Sequence, residues 1–286
     1  MTGFAFLLLV AAAFCHATWN LLAKRVGGGS AFVWLFALLS AIIYFPLAVL
    51  VMVIQRPLLG VREGVFMAGS SLLHLLYFLT LQKGYKVGDL SVVYPLARGT
   101  GPTLSTLVAI LFLGERPSYI AMLGAFLVVS GVFLLAAAEG LSLKKGLVKG
   151  VGFGILTGVL IASYTLWDKH AVSQLFIPPL LMDYCSNVGR MLFLSPVVLS
   201  QRNEILKVWS SHRWETIGVA VLTPISYILV LTALIKTPVS YIAPLREMSI
   251  LIGTVMGTRL LAEGGTRKRL AAAGMMLLGI SALAIG

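Results

Sequence analysis

The chain has 286 residues, 59% of them hydrophobic and 11% charged, with a mean hydropathy of +0.97. No water-soluble core of this length needs so much apolar material, so the chain belongs in lipid. Its net charge of +12 is spread over many loops without an aromatic-studded basic patch, which argues against a nucleic-acid partner.

One membrane crossing takes about 20 apolar residues, so the length allows about ten crossings and leaves no room for a soluble domain. Apolar runs between charged or Gly/Pro-rich breaks predict helices near 3–24, 31–54, 64–83, 88–113 and 117–138. A hydrophilic joint at 139–146 follows, and then helices near 147–168, 177–200, 214–235, 239–261 and 267–285. The first run lacks the basic n-region of a secretory signal and reads as a retained helix. Cys15 and Cys185 both fall within apolar runs, where they read as small hydrophobes, with no disulfide and no metal site expected.

The two halves echo each other. Trp19-Asn20 recurs as Trp167-Asp168 (167 − 19 = 148), and at the same offset Arg98 recurs as Arg246 and Leu113-Gly114-Glu115 as Leu261-Ala262-Glu263. The expected organisation is therefore a first five-helix repeat at 1–138, a cytoplasmic joint at 139–146 and a second repeat at 147–286. Five is odd, so the second repeat enters the membrane from the opposite side. The expected fold class is an all-α integral membrane protein of ten transmembrane helices in two inverted repeats. Thirteen Lys and Arg residues, among them Lys24, Lys83, Lys149, Arg213 and Arg267, fall in the loops after helices one, three, five, seven and nine; the other loops hold five. The positive-inside rule then puts both termini on the non-cytoplasmic side.

Polar residues inside the apolar runs are expensive in lipid and mark candidate function. In chain order, His16 and Trp19 share a face of helix one with Asn20, and His74 and Tyr77 lie three apart on helix three. On helix four, Arg98 follows Tyr94-Pro95 and precedes Gly99-Thr100-Gly101-Pro102, a stretch expected to lose regular helical bonding because proline has no donor. Its counterpart Arg246 follows Pro244. Two readings of this pair are open: a midplane site built from broken helices, or arginines snorkelling to headgroups. On helix six, Gly150, Gly154, Gly158 and Ala162 form a small-residue stripe, and Gly253 and Gly257 stand on helix nine. These suit internal packing or an oligomer contact, so a monomer or weak homo-oligomer is expected. Tyr164, Trp167 and Asp168 follow near the end of helix six. Asp183, Asn187 and Arg190 share a face of helix seven, either as an internal pair bridged by Asn187 or as a polar cavity wall. Ser226 and Tyr227 lie on helix eight. A tryptophan near a helix end also serves as an interfacial anchor. His74, with Asp168, is a candidate for proton coupling, and a packing histidine is the alternative.

No phosphate loop, zinc helix or nucleophile elbow is present in the sequence, and no cofactor is expected. A membrane-embedded enzyme would need paired catalytic groups at a recognised spacing. A channel would need repeated pore rings.

Ten short helices in two halves, Phe14-Cys15-His16-Ala17-Thr18-Trp19-Asn20 in helix one, a proline-bearing fourth helix and Leu-Gly-Glu closing it resemble the drug/metabolite transporter superfamily, EamA type. The resemblance covers almost the entire chain. It implies a central substrate cavity among helices one, three, four, six, eight and nine, with alternating access by rocking of helix groups. Carried over by position, the cavity receives His16, Trp19, His74, Tyr77, Tyr94, Arg98, Tyr164, Trp167, Tyr227 and Arg246. Helix seven is not among the cavity helices. The resemblance, with its aromatic amino-acid branch, implies export of amino acids or related metabolites across the inner membrane. Rings that stack a planar side chain and an arginine that holds a carboxylate favour aromatic or large apolar amino acids. A facilitator, or a carrier of drugs or other metabolites, is the alternative within the superfamily.

Overall fold

The computed structural model describes residues 1–27, 29–87, 90–138, 147–253 and 267–286; at 90–92, 95, 135–138, 147 and 267–270 it describes the backbone alone. Among these residues the regular structure is helical throughout. The helices are α1 (Gly3–Val26), α2 (Ser30–Gln55), α3 (Val61–Val87), α4 (Leu90–Phe112), α5 (Tyr119–Ala138), α6 (Leu147–Ser173), α7 (Pro179–Val198), α8 (Arg202–Lys236), α9 (Val239–Leu245) and α10 (Arg267–Ile285), with a further helical stretch at 248–253. Five of them, α1, α2, α3, α6 and α8, are long and apolar enough to cross a membrane by length and composition; shorter apolar stretches run at Leu96–Phe112, Tyr119–Leu134 and Ala271–Ile285.

Local chemistry sets the ends. The Thr2 hydroxyl accepts from the Ala5 amide at 3.3 Å and opens α1, and Gly27 at φ 79° closes it by donating to the Lys24 carbonyl. Lys24 and Arg25 stand in that last turn, where they complement the negative end of the helix dipole.

Packing pairs the halves. α1 lies against α8 and α3 against α6, and α2 against α8 is matched by α7 against α3. The pairs α2·α7, α4·α9 and α5·α10 each join corresponding elements of the two halves. Between α5 and α10 the match extends to single residues. A Cβ at Gly124 would stand 2.7 Å from the Gly279 carbonyl oxygen, and one at Gly131 would stand 3.1 Å from that of Ala272. Gly124 and Ala272, and Gly131 and Gly279, are equivalent at the repeat offset, so the helices run antiparallel about a local two-fold. With little hydrophobic drive between helices in lipid, such small-residue contacts and interhelical hydrogen bonds hold the bundle. Tyr44 Oη donates to the Val221 carbonyl at 2.7 Å, Ser226 Oγ to Ala12 at 2.9 Å and Ser71 Oγ to Cys185 at 3.0 Å.

Three expectations are corrected. The Pro95–Pro102 stretch keeps its helix, because α4 is continuous over Leu90–Phe112. Beside the prolines, Thr103 Oγ1 donates to the Gly99 carbonyl at 2.7 Å and Ser105 Oγ to Gly101 at 2.6 Å, while Gly99 and Gly101 press on Phe133 and Ile161. The stretch before helix eight is helical from Arg202, with a kink at His212 (φ −138°, ψ 33°) where it turns into the apolar span. Helix six runs on to Ser173, so Asp168 is not at its end. The glycine stripe of α6 faces inward, with Gly154 against Leu96 and Gly158 against Thr100 of α4. Gly257, the Leu261-Ala262-Glu263 segment and the 139–146 joint lie outside the described residues.

Candidate functional site

The backbone break absent from α4 occurs in its counterpart. α9 stops at Leu245, Arg246 and Glu247 form a turn, and helix resumes at 248. Around the turn the bonds tighten to three-residue spacing: Glu247 N to the Pro244 carbonyl (3.0 Å), Ser249 N to Arg246 (3.3 Å) and Ile250 N to Glu247 (2.9 Å). Irregular backbone at membrane depth survives only inside protein or beside a wet cavity. Here it presents Arg246 and Glu247 on adjoining residues.

Arg246 reaches α6. Its Nη1 donates to Thr165 Oγ1 at 3.2 Å and its Nη2 to Tyr164 Oη at 3.3 Å, while the guanidinium stands 5.7 Å from the ring centroids of both Tyr164 and Tyr227. Such cation–π contact strengthens where water is scarce. No carboxylate oxygen lies within 4.0 Å of Arg246 among the described residues.

Arg98 has a different environment. Its Nε stands 3.0 Å from Glu247 Oε2, and its Nη2 donates to Ser249 Oγ at 3.2 Å. Both charges are buried, at 8% and 3% exposure, so the pair joins α4 of the first half to the broken helix of the second in a low-dielectric place. Ser249 Oγ also donates to the Arg246 carbonyl at 3.0 Å, which connects the two arginines.

Aromatic and carboxylate groups complete the centre. Tyr227 donates a hydrogen bond to Asp168 Oδ2, and His74 Nε2 stands 4.0 Å from the same oxygen. On its other side the His74 ring meets the Ser70 carbonyl at 2.9 Å through Nδ1, an arrangement that suits a proton on Nδ1. His74 stacks on Tyr164 at 4.2 Å between centroids, and Tyr77 meets Tyr164 edge-on at 5.7 Å. Asp168 is fully buried, and its Oδ1 accepts no hydrogen bond among the described residues.

His74, Tyr77, Tyr164, Asp168, Tyr227 and Arg246 thus come together, and Arg98 joins them through Ser249 and Glu247. On α7, Asn187 Nδ2 donates to Asp183 Oδ2 at 2.9 Å, and Asn187 Oδ1 accepts from Arg190 Nη1 at 3.4 Å, so Asn187 bridges the two charges. The Arg190 guanidinium also faces the Phe36 ring at 5.8 Å. Of the remaining candidates, His16 lies within electrostatic reach of both Arg98 and Arg246, and Tyr94 within that of Arg98, while the two tryptophans pack elsewhere. Trp167 stacks on Phe66 and spends its indole N–H on the Phe66 carbonyl at 2.8 Å, locking α6 to α3. Trp19 packs beside the apolar cluster of α2 and α8 and meets His16 edge-on at 4.8 Å. Tyr94 is 36% exposed.

Glu247 escaped sequence reasoning although its signal was present: it is the only carboxylate between 239 and 261. The repeated Leu-Gly-Glu motif also gains a role. Glu115 Oε1 accepts from the Val239 amide at 2.7 Å and Oε2 from Ser240 at 2.9 Å, and these amides open α9, whose N-cap Pro238 supplies no side-chain acceptor. Beside it, Lys169 Nζ donates to the carbonyls of Leu234 (2.6 Å) and Thr237 (3.0 Å) at the end of α8.

Paired helical halves with apolar spans, buried charges and a broken helix mark the chain as a multi-pass membrane protein. The model of the EamA-like transporter family, within the drug/metabolite transporter superfamily, matches residues 3–137 and again 148–285. The chain belongs to that family, whose members are transporters rather than enzymes. A crystal structure of a protein 16% identical to it matches with a TM-score of 0.77, over 100% of this chain and 98% of that one, and shares its fold. No curated protein matches the chain.

Proposed function

We propose that this transporter is a secondary carrier that exports amino acids or related small metabolites, with a preference for aromatic or large apolar side chains, across the inner membrane. The observation that carries this reading is Arg246: a guanidinium on a broken helix, held by two hydroxyls between two tyrosine rings, with no carboxylate within 4.0 Å among the described residues. It binds the carboxylate of the substrate, and the rings of Tyr77, Tyr164 and Tyr227 stack on its side chain. The two repeats lie inverted in the membrane with both termini on the non-cytoplasmic side, and rocking about the α4·α9 contact alternates access.

Counterflow of labelled phenylalanine in proteoliposomes tests the proposal. Saturable exchange in the wild type and its loss in Arg246→Gln are expected. Transport restricted to small polar amino acids, or exchange unchanged by the substitution, refutes the reading.

Proton coupling is a second reading, favoured by the Tyr227–Asp168 bond and by His74 Nε2 beside the same carboxylate oxygen. Asp168 exchanges a proton as substrate arrives, with His74 as the relay. Exchange that ignores an imposed pH gradient makes the protein a facilitator instead.

A further inference from the structure

The two repeats carry one arginine each at equivalent points, but only the second follows it with an acid. Gly99 stands after Arg98, and Glu247 stands after Arg246. The acid does not serve its own neighbour. It lies 3.0 Å from the arginine of the other repeat, and both groups are almost completely buried. The remaining two acids near the centre are engaged elsewhere, Asp168 by Tyr227 and Asp183 by Asn187. Among the described residues, one of two symmetry-related cations is therefore neutralised and the other is not. Arg98 and Arg246 are close enough for their charges to repel, and Ser249 touches both residues. Whatever negative charge enters between them meets one available guanidinium, not two.

We infer that Glu247 is a specificity-determining residue that fixes the charge of the substrate: by occupying Arg98 it limits the site to one carboxylate and excludes dianions. This rests on the reading of Arg246 as the carboxylate anchor. A second carboxylate would have to displace Glu247 from a buried ion pair, leaving an unpaired buried acid, a costly exchange. With a neutral amide at 247, Arg98 becomes a second anion site at hydrogen-bonding strength, a change of about tenfold or more in affinity.

The test uses two ligands that differ by one carboxylate, 3-phenylpropionate and benzylmalonate, titrated calorimetrically against the full-length purified chain in lipid nanodiscs. The wild type is expected to prefer the monoanion, and Glu247→Gln to reverse the preference by about tenfold or more. Arg98→Gln, which uncovers the Glu247 carboxylate, moves the ratio in the opposite direction. The double variant buries no unpaired charge and keeps the preference for the monoanion, so it reads the same question if either single variant fails to accumulate. Wild-type binding of 3-phenylpropionate with an unchanged ratio in Glu247→Gln overturns this inference alone. So does a double variant that prefers the dianion. A wild type that binds neither ligand overturns the anchor reading of Arg246 and this inference with it.

Discussion

Replacing Glu115 by alanine removes both acceptors from the start of α9. Its carboxylate accepts from the Val239 and Ser240 amides at 2.7 and 2.9 Å, and the preceding residue, Pro238, has no side-chain acceptor to replace it. Losing an ordinary N-cap costs about 1 kcal/mol, and a hydrogen bond to a charged group contributes about 1.5–3 kcal/mol. Glu115 is only half-buried, so solvent satisfies part of the loss, and a total near 2–3 kcal/mol is expected for Glu115→Ala. Glu115→Gln keeps one carbonyl acceptor and loses the charge, for about half that cost. Unfolding by SDS titration in mixed micelles measures both variants. An Ala variant within about 0.5 kcal/mol of wild type, or Ala and Gln variants of equal stability, refutes the capping argument.

Gly279→Ala places a Cβ 2.6 Å from the Gly124 carbonyl oxygen, where backbone meets backbone and neither can turn aside; a loss of about 1–3 kcal/mol is expected in the same titration. Tyr227→Phe removes the donor to Asp168 and leaves a buried carboxylate short of a partner, so exchange should fall and its pH profile should change, as followed by counterflow at several pH values. Asn187→Leu cuts the bridge between Asp183 and Arg190 and should destabilise the protein by about 2 kcal/mol or more. Trp167→Phe loses the hydrogen bond to the Phe66 carbonyl and should lower stability by about 1 kcal/mol while the phenylalanine Kd, measured by calorimetry, stays within about threefold.

Much of the fold was legible because lipid imposes simple constraints. Every backbone polar group must be satisfied within a helix, so apolar runs mark where most of the helices lie, and basic loops separate them. Register was harder to see. The sequence puts Asp168 near a helix end, with Lys169 and His170 following it, yet α6 continues to Ser173, with Lys169 capping α8 and His170 stacked on Phe66. Pro95 and Pro102 announce a break in α4, yet that helix is continuous, whereas the helix at Pro244 does break. Proline removes a donor in both places; packing decides whether the helix yields.

By itself, the sequence determined the helical class, the membrane setting, the duplication at a spacing of 148 residues and the arginine pair, since each follows from composition or from position along the chain. The tertiary structure decided partnerships. It set Glu247 against Arg98 rather than Arg246, gave Tyr227 to Asp168 and sent Trp167 to the α3 backbone. Those contacts join residues from 59 to about 150 positions apart, and over such distances spacing carries no directional information. Charge and hydrogen-bonding partners in a buried site are chosen by how helices cross, and the crossing exists only once both halves have packed.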